Sequence, residues 1–271
     1  MSTLQDLSKV LSRKQAILEE SAAGVEQQKK SGKQAARERI ALLLDGGSFV
    51  EQSMLAQDAG VVAGSGTVDG RPVFVFAQDF AVMDGAMGAK QAKKIVKILE
   101  QARKTGTPVV AMCDSNGARV GEGAAALEAY ADVFAHMARL SGVVPMISLV
   151  LGPCVGAAAM MAKLSDVVIV SNALHIVPQP EKALAEIRRV LKDDGVLIAP
   201  TFTHGNSTLQ GRIKLFFMKL AGFPLNSRWS SADYLAFLRQ NGWSVRKSAV
   251  LKGSFPLTYA ECVKPAVKGR G

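Results

Sequence analysis

The sequence has little of what marks several common classes of protein. Its 271 residues include only three cysteines, Cys113, Cys154 and Cys262, which lie far apart and form no CxxC pair. This spacing indicates buried thiols rather than a disulfide framework or a zinc site. No apolar run reaches the roughly 18 residues that a membrane-spanning helix needs, and the N-terminus does not have the pattern of a signal peptide. We therefore predict a cytoplasmic protein with neither a membrane span nor a metal centre.

The sequence also lacks a concentrated basic tract, although its formal charge is +10. Residues 1–170 contain 18 Lys and Arg against 17 Asp and Glu, whereas residues 171–271 contain 15 against 6. The basic residues of the second part form no run of five or six and no stripe interleaved with aromatic residues. This pattern does not favour nucleic-acid binding. The change of composition near residue 170 instead indicates that the chain has two different parts.

The first part has the pattern of an α/β fold. Residues 4–44 are helical in pattern and end at Asp45-Gly46-Gly47, which reads as a helix stop. The run "GVVAGSGTVDGRPVFVFAQDF" predicts two strands joined at Asp69-Gly70, because Asp-Gly favours a two-residue hairpin turn. The glycines of "GSG" precede a strand rather than a helix, so they do not indicate a dinucleotide-binding loop. From there to residue 170, helices, strands and glycine-rich turns alternate.

Two glycine-rich turns of this first part could carry chemistry. "DSNGARVGEG" (residues 114–123) and "LGPCVGAAA" (residues 151–159) place small residues where a predicted strand ends and a helix begins. Small side chains let a thioester carbonyl approach backbone N–H donors, and a helix N-terminus favours the negative charge of an enolate. No Ser/His/Asp set accompanies the turns, so backbone-donor chemistry is favoured over nucleophilic catalysis. Taken singly, each turn fits a tight turn in a packed core better than a site.

Five stretches in consistent order resemble one known family. They are "ARERIALLLDGGSFVE", "DGRPVFVFAQDFAVMDGAMG", "KKIVKILEQARKTGTPVV", "DSNGARVGEG" and "LSGVVPMISLVLGPCVGAAAMMAKLSDVVIV". Over residues 30–170 the chain thus resembles the N-terminal half of the carboxyltransferase subunit of biotin-dependent acyl-CoA carboxylases and related decarboxylases. The resemblance implies a crotonase-like fold. It also implies transfer of carboxylate between carboxybiotin and the carbon next to a CoA thioester, with the enolate held by backbone N–H groups.

The same resemblance assigns roles to individual residues. Gly117 and Ala118 match the oxyanion-hole peptides of the family's SGGAR stretch, in which Asn116 replaces the first glycine. The residues that match the acyl-CoA site are those of a first loop and a second glycine turn, namely Gly85, Ala86, Met87, Gly88, Gly152 and Gly156. The resemblance further implies an acyl-CoA substrate, biotin on a separate carrier protein and a homo-oligomer.

The second part resembles a different family. "DVVIVSNALHIVPQPEKALAEIRRVLKDDGVLIAPTF" is similar to the downstream half of a class I S-adenosylmethionine-dependent methyltransferase, and the similarity covers residues 166–268. It implies a half-Rossmann segment in which Asn172, Leu174 and His175 belong to the loop at the mouth of the cofactor pocket. The glycine-rich loop and acidic residue that hold this cofactor should precede residue 166. Carboxyltransferase-like sequence stands there instead.

We therefore predict an α/β chain made of two partial families. Its expected parts are an N-terminal helical segment (1–44), a truncated crotonase-like carboxyltransferase domain (45–168) and a truncated methyltransferase half (169–271). The longer resemblance favours an acyl-CoA-binding, carboxyltransferase-like protein that is impaired or inactive as it stands. Two alternatives stay open, a methyltransferase that uses S-adenosylmethionine and a non-catalytic chimera whose truncated domains expose apolar edges.

Overall fold

The structure is a computed structural model that describes residues 3–30, 33–55, 60–170, 174, 177, 179–203, 227, 229–251 and 256–265. The chain divides into two compact units. Unit 1 consists of residues 1–148 and 152–165, and unit 2 consists of residues 149–151 and 166–271. The division at Ser165 lies three residues before the boundary predicted from the sequence.

Unit 1 combines a sheet with five helices. The helices are α1 (Thr3–Lys30), α2 (Ala36–Leu43), α3 (Ala89–Thr105), α4 (Ala124–Leu140) and α5 (Ala157–Lys163). The strands are β1 (Val50–Gln52), β2 (Val61–Val68), β3 (Arg71–Gln78), β4 (Val109–Ser115) and β5 (Met146–Cys154), hydrogen-bonded in that order. Strands β1, β2 and β3 are antiparallel neighbours, and β3 and β4 are parallel. The helical pattern of residues 4–44 is divided between α1 and α2 rather than forming one helix.

The hairpin between β2 and β3 confirms the prediction made from Asp69-Gly70. Both residues have positive φ, at 49° and 73°, as a type I′ turn requires. The Asp45 carboxylate accepts hydrogen bonds from the N–H groups of Asp69 and Gly70 at 3.0 and 2.9 Å. The residue that ends the helical region therefore also fixes the tip of the hairpin.

Helices α3 and α4 pack against each other in unit 1. Helix α3 buries Ile95, Ile98, Leu99 and Ala102, a spacing that lines one face of a helix. It ends at Gly106, whose φ of 69° is left-handed and whose N–H donates to the Ala102 carbonyl. The predicted helix stop at this glycine is confirmed, because a residue without Cβ adopts that conformation at little cost.

Unit 2 contains five described strands and two described helices. It contains β6 (Val167–Val170), α6 (Pro180–Val190), β7 (Val196–Ile198), β8 (Thr201–Phe202), α7 (Ser231–Gln240), β9 (Ser244–Leu251) and β10 (Leu257–Val263). Strands β6 and β7 are parallel, whereas β10 is antiparallel to β7, β8 and β9. A core that includes Leu184, Leu197, Tyr234 and Cys262 fills this unit. Among the described helices of the chain, none is long and apolar enough to cross a bilayer.

Candidate functional site

The turn after β4 presents one backbone donor that has no acceptor. The N–H of Asn116 donates to the Asp84 carbonyl at 3.1 Å, and that of Arg119 donates to the Met87 carbonyl at 3.0 Å. The N–H of Gly117 donates to Ser115 Oγ at 3.0 Å. Within the part of the chain that the structure describes, only the N–H of Ala118 among residues 116–119 lacks an acceptor. Of the two predicted oxyanion-hole residues, the structure therefore favours Ala118 over Gly117 as a donor.

The predicted CoA-lining loop at residues 85–88 has no N–H group left to offer. Gly85 and Ala86 donate to the carbonyls of the preceding 3₁₀ turn, and Met87 donates to the Gly117 carbonyl at 2.9 Å. Gly88 donates to the Gln91 side chain at 3.0 Å. Because all four N–H groups have acceptors inside unit 1, this loop can line a ligand but not donate backbone hydrogen bonds to it.

The start of α3, next to this loop, is already occupied by a carboxylate. Glu122 Oε2 accepts from the Ala89 N–H at 2.9 Å, and Arg119 lies 3.7 Å from the other oxygen. A Cβ on Gly88 would lie 2.1 Å from the Glu122 carboxylate, so a larger residue there would displace this carboxylate from the start of α3. Since a negative side chain stabilises the positive end of a helix, Glu122 fills the position that a ligand anion would take at α3.

The second glycine turn contains further unengaged donors. The Val155 N–H donates to the Ser115 carbonyl at 3.2 Å, which attaches this turn to the end of β4. In the described part of the chain, the N–H groups of Gly156 and Ala157 have no acceptor. Gly156 has a φ of 55°, a conformation that suits glycine. Ser115 is therefore bonded to both predicted glycine turns, through its side chain to one and through its carbonyl to the other.

A buried ion cluster supports the end of β4. Asp114 is fully buried, and its carboxylate pairs with Lys33 at 3.1 Å and with Arg39 at 2.8 Å. The Lys33 ammonium also lies 4.4 Å from the centre of the Phe80 ring, within cation–π distance. This cluster was not predicted from the sequence, although an aspartate at the end of an otherwise apolar strand, "VVAMCDS", was the available signal.

Two of the predicted site glycines allow close packing around Asp114. A Cβ on Gly85 would lie 2.1 Å from the Asp114 carbonyl oxygen, and a Cβ on Gly152 would lie 2.0 Å from the carboxylate oxygen Oδ1. Neither approach leaves room for a side chain. These two glycines therefore bring their turns against β4, whatever they do for a ligand.

The two cysteines of unit 1 are hydrogen-bonded to each other, Cys113 in β4 to Cys154 at the end of β5. Cys113 is buried, and Cys154 is half-buried. The pKa of Cys113 is raised by its hydrogen bond to Cys154 and by burial, whereas that hydrogen bond lowers the pKa of Cys154. Burial raises the pKa of neighbouring Tyr130 to about 12. Among the described residues, no group of three His, Cys, Asp or Glu side chains could hold a metal ion.

The residues assigned to a methyltransferase loop are only partly described. Leu174 is 2% exposed and packs in the core of unit 2. Asn172 and His175 lie outside the described residues. The buried side chain of Leu174 contributes to the packing of unit 2. Contact between this loop and a cofactor stays a prediction.

Asp79, the residue after β3, allows a test of how stability depends on pH. Burial raises its pKa, against the hydrogen bond from Ala81 and the charges of Arg37 and Arg39. The folded state thus binds this proton more tightly than the unfolded state, so ionisation of Asp79 opposes folding above its folded-state pKa. We expect Asp79→Asn to raise the melting temperature at pH 7, and the gain to vanish as the pH falls below about 3.8, the usual aspartate value.

The control for Asp79 is Asp45→Asn, which should have the opposite sign. The pKa of Asp45 is lowered by its hydrogen bond from Thr67 and those from the hairpin N–H groups. Its ionised form therefore favours folding at neutral pH, and this contribution disappears as the pH falls through its folded-state pKa. Melting curves of both variants and the wild type from pH 3 to 8 test the pair. Equal pH profiles for the two variants would contradict the prediction.

Comparison with known proteins identifies the family of this chain. The family described as "Carboxyl transferase domain" matches residues 27–177, more than half of the chain. The propionyl-CoA carboxylase beta chain of Saccharopolyspora erythraea is 45% identical over 60% of this chain and 32% of its own length. The methylmalonyl-CoA decarboxylase subunit alpha of Propionigenium modestum is 43% identical over 60% of this chain and 34% of its own.

A solved structure extends the similarity to the fold. Transcarboxylase 12S, solved as a hexamer assembly with methylmalonyl-coenzyme A and methylmalonic acid bound, is 36% identical with a TM-score of 0.60. The match covers 69% of this chain and 40% of that one. The chain thus spans about a third of the length of the two curated relatives. From the sequence match and the shared α/β fold, the chain belongs to the carboxyl transferase domain family.

Proposed function

We propose that unit 1 binds an acyl-CoA thioester and stabilises its enolate for carboxyl transfer to or from biotin on a separate carrier protein. The observation that carries this proposal is the unengaged N–H of Ala118, whose neighbours Asn116, Gly117 and Arg119 all donate their N–H groups within unit 1. A fixed donor of this kind stabilises charge that develops on an oxygen without reorganising at the moment of reaction. The unengaged N–H groups of Gly156 and Ala157 offer a second donor for the same oxygen.

The proposed reaction requires one main contribution from these residues, a hydrogen-bond donor at the thioester oxygen. When an acyl-CoA with a carboxylate on its α-carbon loses CO₂, the C–C bond to the carboxylate breaks and its electron pair forms the enolate, whose negative charge is carried by the thioester oxygen. In decarboxylation the enolate then takes a proton from water, and in carboxyl transfer the carboxylate passes to or from biotin. Both routes need the same donor at the thioester oxygen. Decarboxylation therefore tests the acyl-CoA half of the reaction without a biotin partner.

The surface around the turns suits the apolar part of such a ligand. Met83, Val120 and Val155 are exposed although they are large and apolar, and each lies in or next to a loop of the candidate site. An exposed group of apolar residues near polar donors is common where a ligand binds. The names of the relatives make propionyl-CoA and methylmalonyl-CoA the first ligands to test.

The direct test is a thermal-shift titration with propionyl-CoA, with free CoA beside it. A ligand that binds only the folded state raises the melting temperature as its concentration rises. We expect a rise with the thioester, and we expect Ala118→Asp to abolish it, because the new carboxylate would place its bulk and negative charge next to the thioester carbonyl oxygen. Ala135→Asp, at an exposed position of α4, is the matched control and should keep the shift. Equal shifts in both variants would contradict the assignment of Ala118.

The methyltransferase and chimera alternatives can be tested with the same purified protein and the same thermal-shift method. None of the relatives named above is a methyltransferase, and S-adenosylmethionine binding by residues 166–268 stays a prediction. A titration with S-adenosylmethionine should leave the melting temperature unchanged if the chain acts only on acyl-CoA. A folded protein that responds to neither ligand would favour the non-catalytic chimera over the proposed function.

A further inference from the structure

Ser115 makes an unusual pair of hydrogen bonds at the end of β4. It is the last residue of that strand and is fully buried. Its Oγ accepts from the Gly117 N–H at 3.0 Å, and its carbonyl accepts from the Val155 N–H at 3.2 Å. Serine side chains often accept from the N–H two residues later, which fixes a turn. Here the same residue also holds the second glycine turn.

This turn geometry decides which donor faces outward. The Gly117 carbonyl accepts from the Met87 N–H at 2.9 Å, and the Arg119 N–H donates to the Met87 carbonyl at 3.0 Å. These two bonds form a bridge between Met87 and Ala118. In such a bridge the middle residue directs its own N–H away from the partner strand. The Ala118 N–H therefore points away from Met87.

The conformation of Gly117 leaves few alternatives to this arrangement. Its φ is 98°, and a Cβ there would lie 3.0 Å from the Val155 carbonyl oxygen. A flexible glycine next to Asn116 could turn its N–H toward a ligand. The hydroxyl of Ser115 removes that option by accepting the Gly117 N–H inside the turn.

We propose that Ser115 is a positioning residue, whose hydroxyl holds the Gly117 N–H and thereby presents the Ala118 N–H, alone among those of residues 116–119, to the thioester oxygen. This inference rests on the proposed function and adds a residue that contacts no substrate atom. Without the hydroxyl, the Gly117–Ala118 peptide can rotate and the Ala118 N–H loses its direction. The expected defect lies in stabilising the enolate, more than in binding the ground state.

The wild-type protein gives a test that needs no variant. Amide hydrogen exchange by NMR should show Gly117 protected and Ala118 exchanging faster. Titration with propionyl-CoA should then move the Ala118 amide resonance more than that of Gly117. Equal exchange, or a larger shift at Gly117, would overturn the proposal.

The variant Ser115→Ala tests the role of the Ser115 hydroxyl in turnover. Its matched control is Ser148→Ala. Both serines are fully buried, and Ser148 bonds to Ser165 at 2.8 Å instead of to the turn. For methylmalonyl-CoA decarboxylation we expect Ser115→Ala to lower kcat about 10- to 100-fold with little change in KM. Complete loss of one oxyanion donor costs up to about 1,000-fold, and this variant misdirects the Ala118 N–H without removing it. Ser148→Ala should keep the wild-type kcat, and the Gly117 amide should lose protection only in Ser115→Ala.

The outcomes separate the inference from the function on which it rests. Absence of thioester binding by folded wild-type protein would overturn the proposed function and the role of Ser115 with it. Thioester binding, with Ser115→Ala behaving like Ser148→Ala in both kcat and Gly117 protection, would overturn the role of Ser115 alone. If Ser115→Ala does not fold, the wild-type exchange and titration decide the matter.

Discussion

Replacing Asp114 by asparagine is expected to lower the free energy of unfolding of unit 1 by about 3–5 kcal/mol, the usual cost of removing one partner from a buried ion pair. The carboxylate is fully buried between Lys33 and Arg39, and Arg39 itself is only 9% exposed in its side chain. Without the carboxylate, the Arg39 guanidinium stays in a poorly solvated position and loses its ion-pair partner at 2.8 Å, with Asp79 as a nearby carboxyl group that remains. The folded state loses the attraction between the Asp114 carboxylate and the two cations, while most of the cost of desolvating Arg39 remains.

Urea unfolding followed by far-UV circular dichroism measures this effect. Both tryptophans, Trp229 and Trp243, lie in unit 2, so tryptophan fluorescence would not report on unit 1. The control is Glu26→Gln, which removes a carboxylate paired with Lys30 at 2.9 Å while both side chains are more than two-thirds exposed. Exposed pairs of this kind contribute about 0–1 kcal/mol. Similar losses in the two variants would show that the Asp114 cluster is not a stabilising contact.

Asp114 also connects stability to the candidate site. Arg39 belongs to α2 and Lys33 to the segment before it, so the cluster fastens the N-terminal helices to the end of β4. The turn with Ala118 begins two residues beyond Asp114. Amide exchange in α2 and in residues 115–119 should therefore increase together in Asp114→Asn.

The sequence predicted the elements whose signals are local. The Asp69-Gly70 turn and the α3 stop at Gly106 were found because each depends on one or two residues with a positive φ. The family and its fold followed from long stretches in consistent order. By contrast, Asp114 and Lys33 are 81 positions apart, and no local pattern predicts that such residues meet.

The candidate site was predicted in outline, but its donors were not. Small residues at the ends of β4 and β5 suggested backbone chemistry, which stays a prediction, and the structure shows turns at both places. Which N–H groups stay unengaged depends on side chains such as Ser115, Gln91 and Glu122. Their hydrogen bonds arise only after the chain has folded, because they require a particular turn geometry rather than a residue type. Gly85 and Gly152 were likewise predicted to contact the ligand. In the structure, the absence of a side chain at each of them leaves space for Asp114.

Replacing Gly85 by alanine is expected to destabilise unit 1 by about 2–5 kcal/mol, from about 1–2 kcal/mol for a left-handed alanine and about 1–3 kcal/mol for overpacking. Gly85 has a φ of 68°, and its Cβ would lie 2.1 Å from the Asp114 carbonyl oxygen. That oxygen is part of the backbone, so it cannot move aside as a flexible side chain would. Either the loop at residues 82–88 or the end of β4 must shift.

Gly106→Ala separates the two contributions. Gly106 has almost the same φ, 69°, but a Cβ there would meet nothing within 4 Å. Its substitution should therefore cost only the backbone term, about 1–2 kcal/mol, and the excess loss in Gly85→Ala measures the clash. A shift of the loop would also carry Met87 away from Gly117 and loosen the bridge that orients Ala118. The surviving folded fraction of Gly85→Ala should then bind propionyl-CoA more weakly than Gly106→Ala, and equal affinity would show that the loop does not orient the donor.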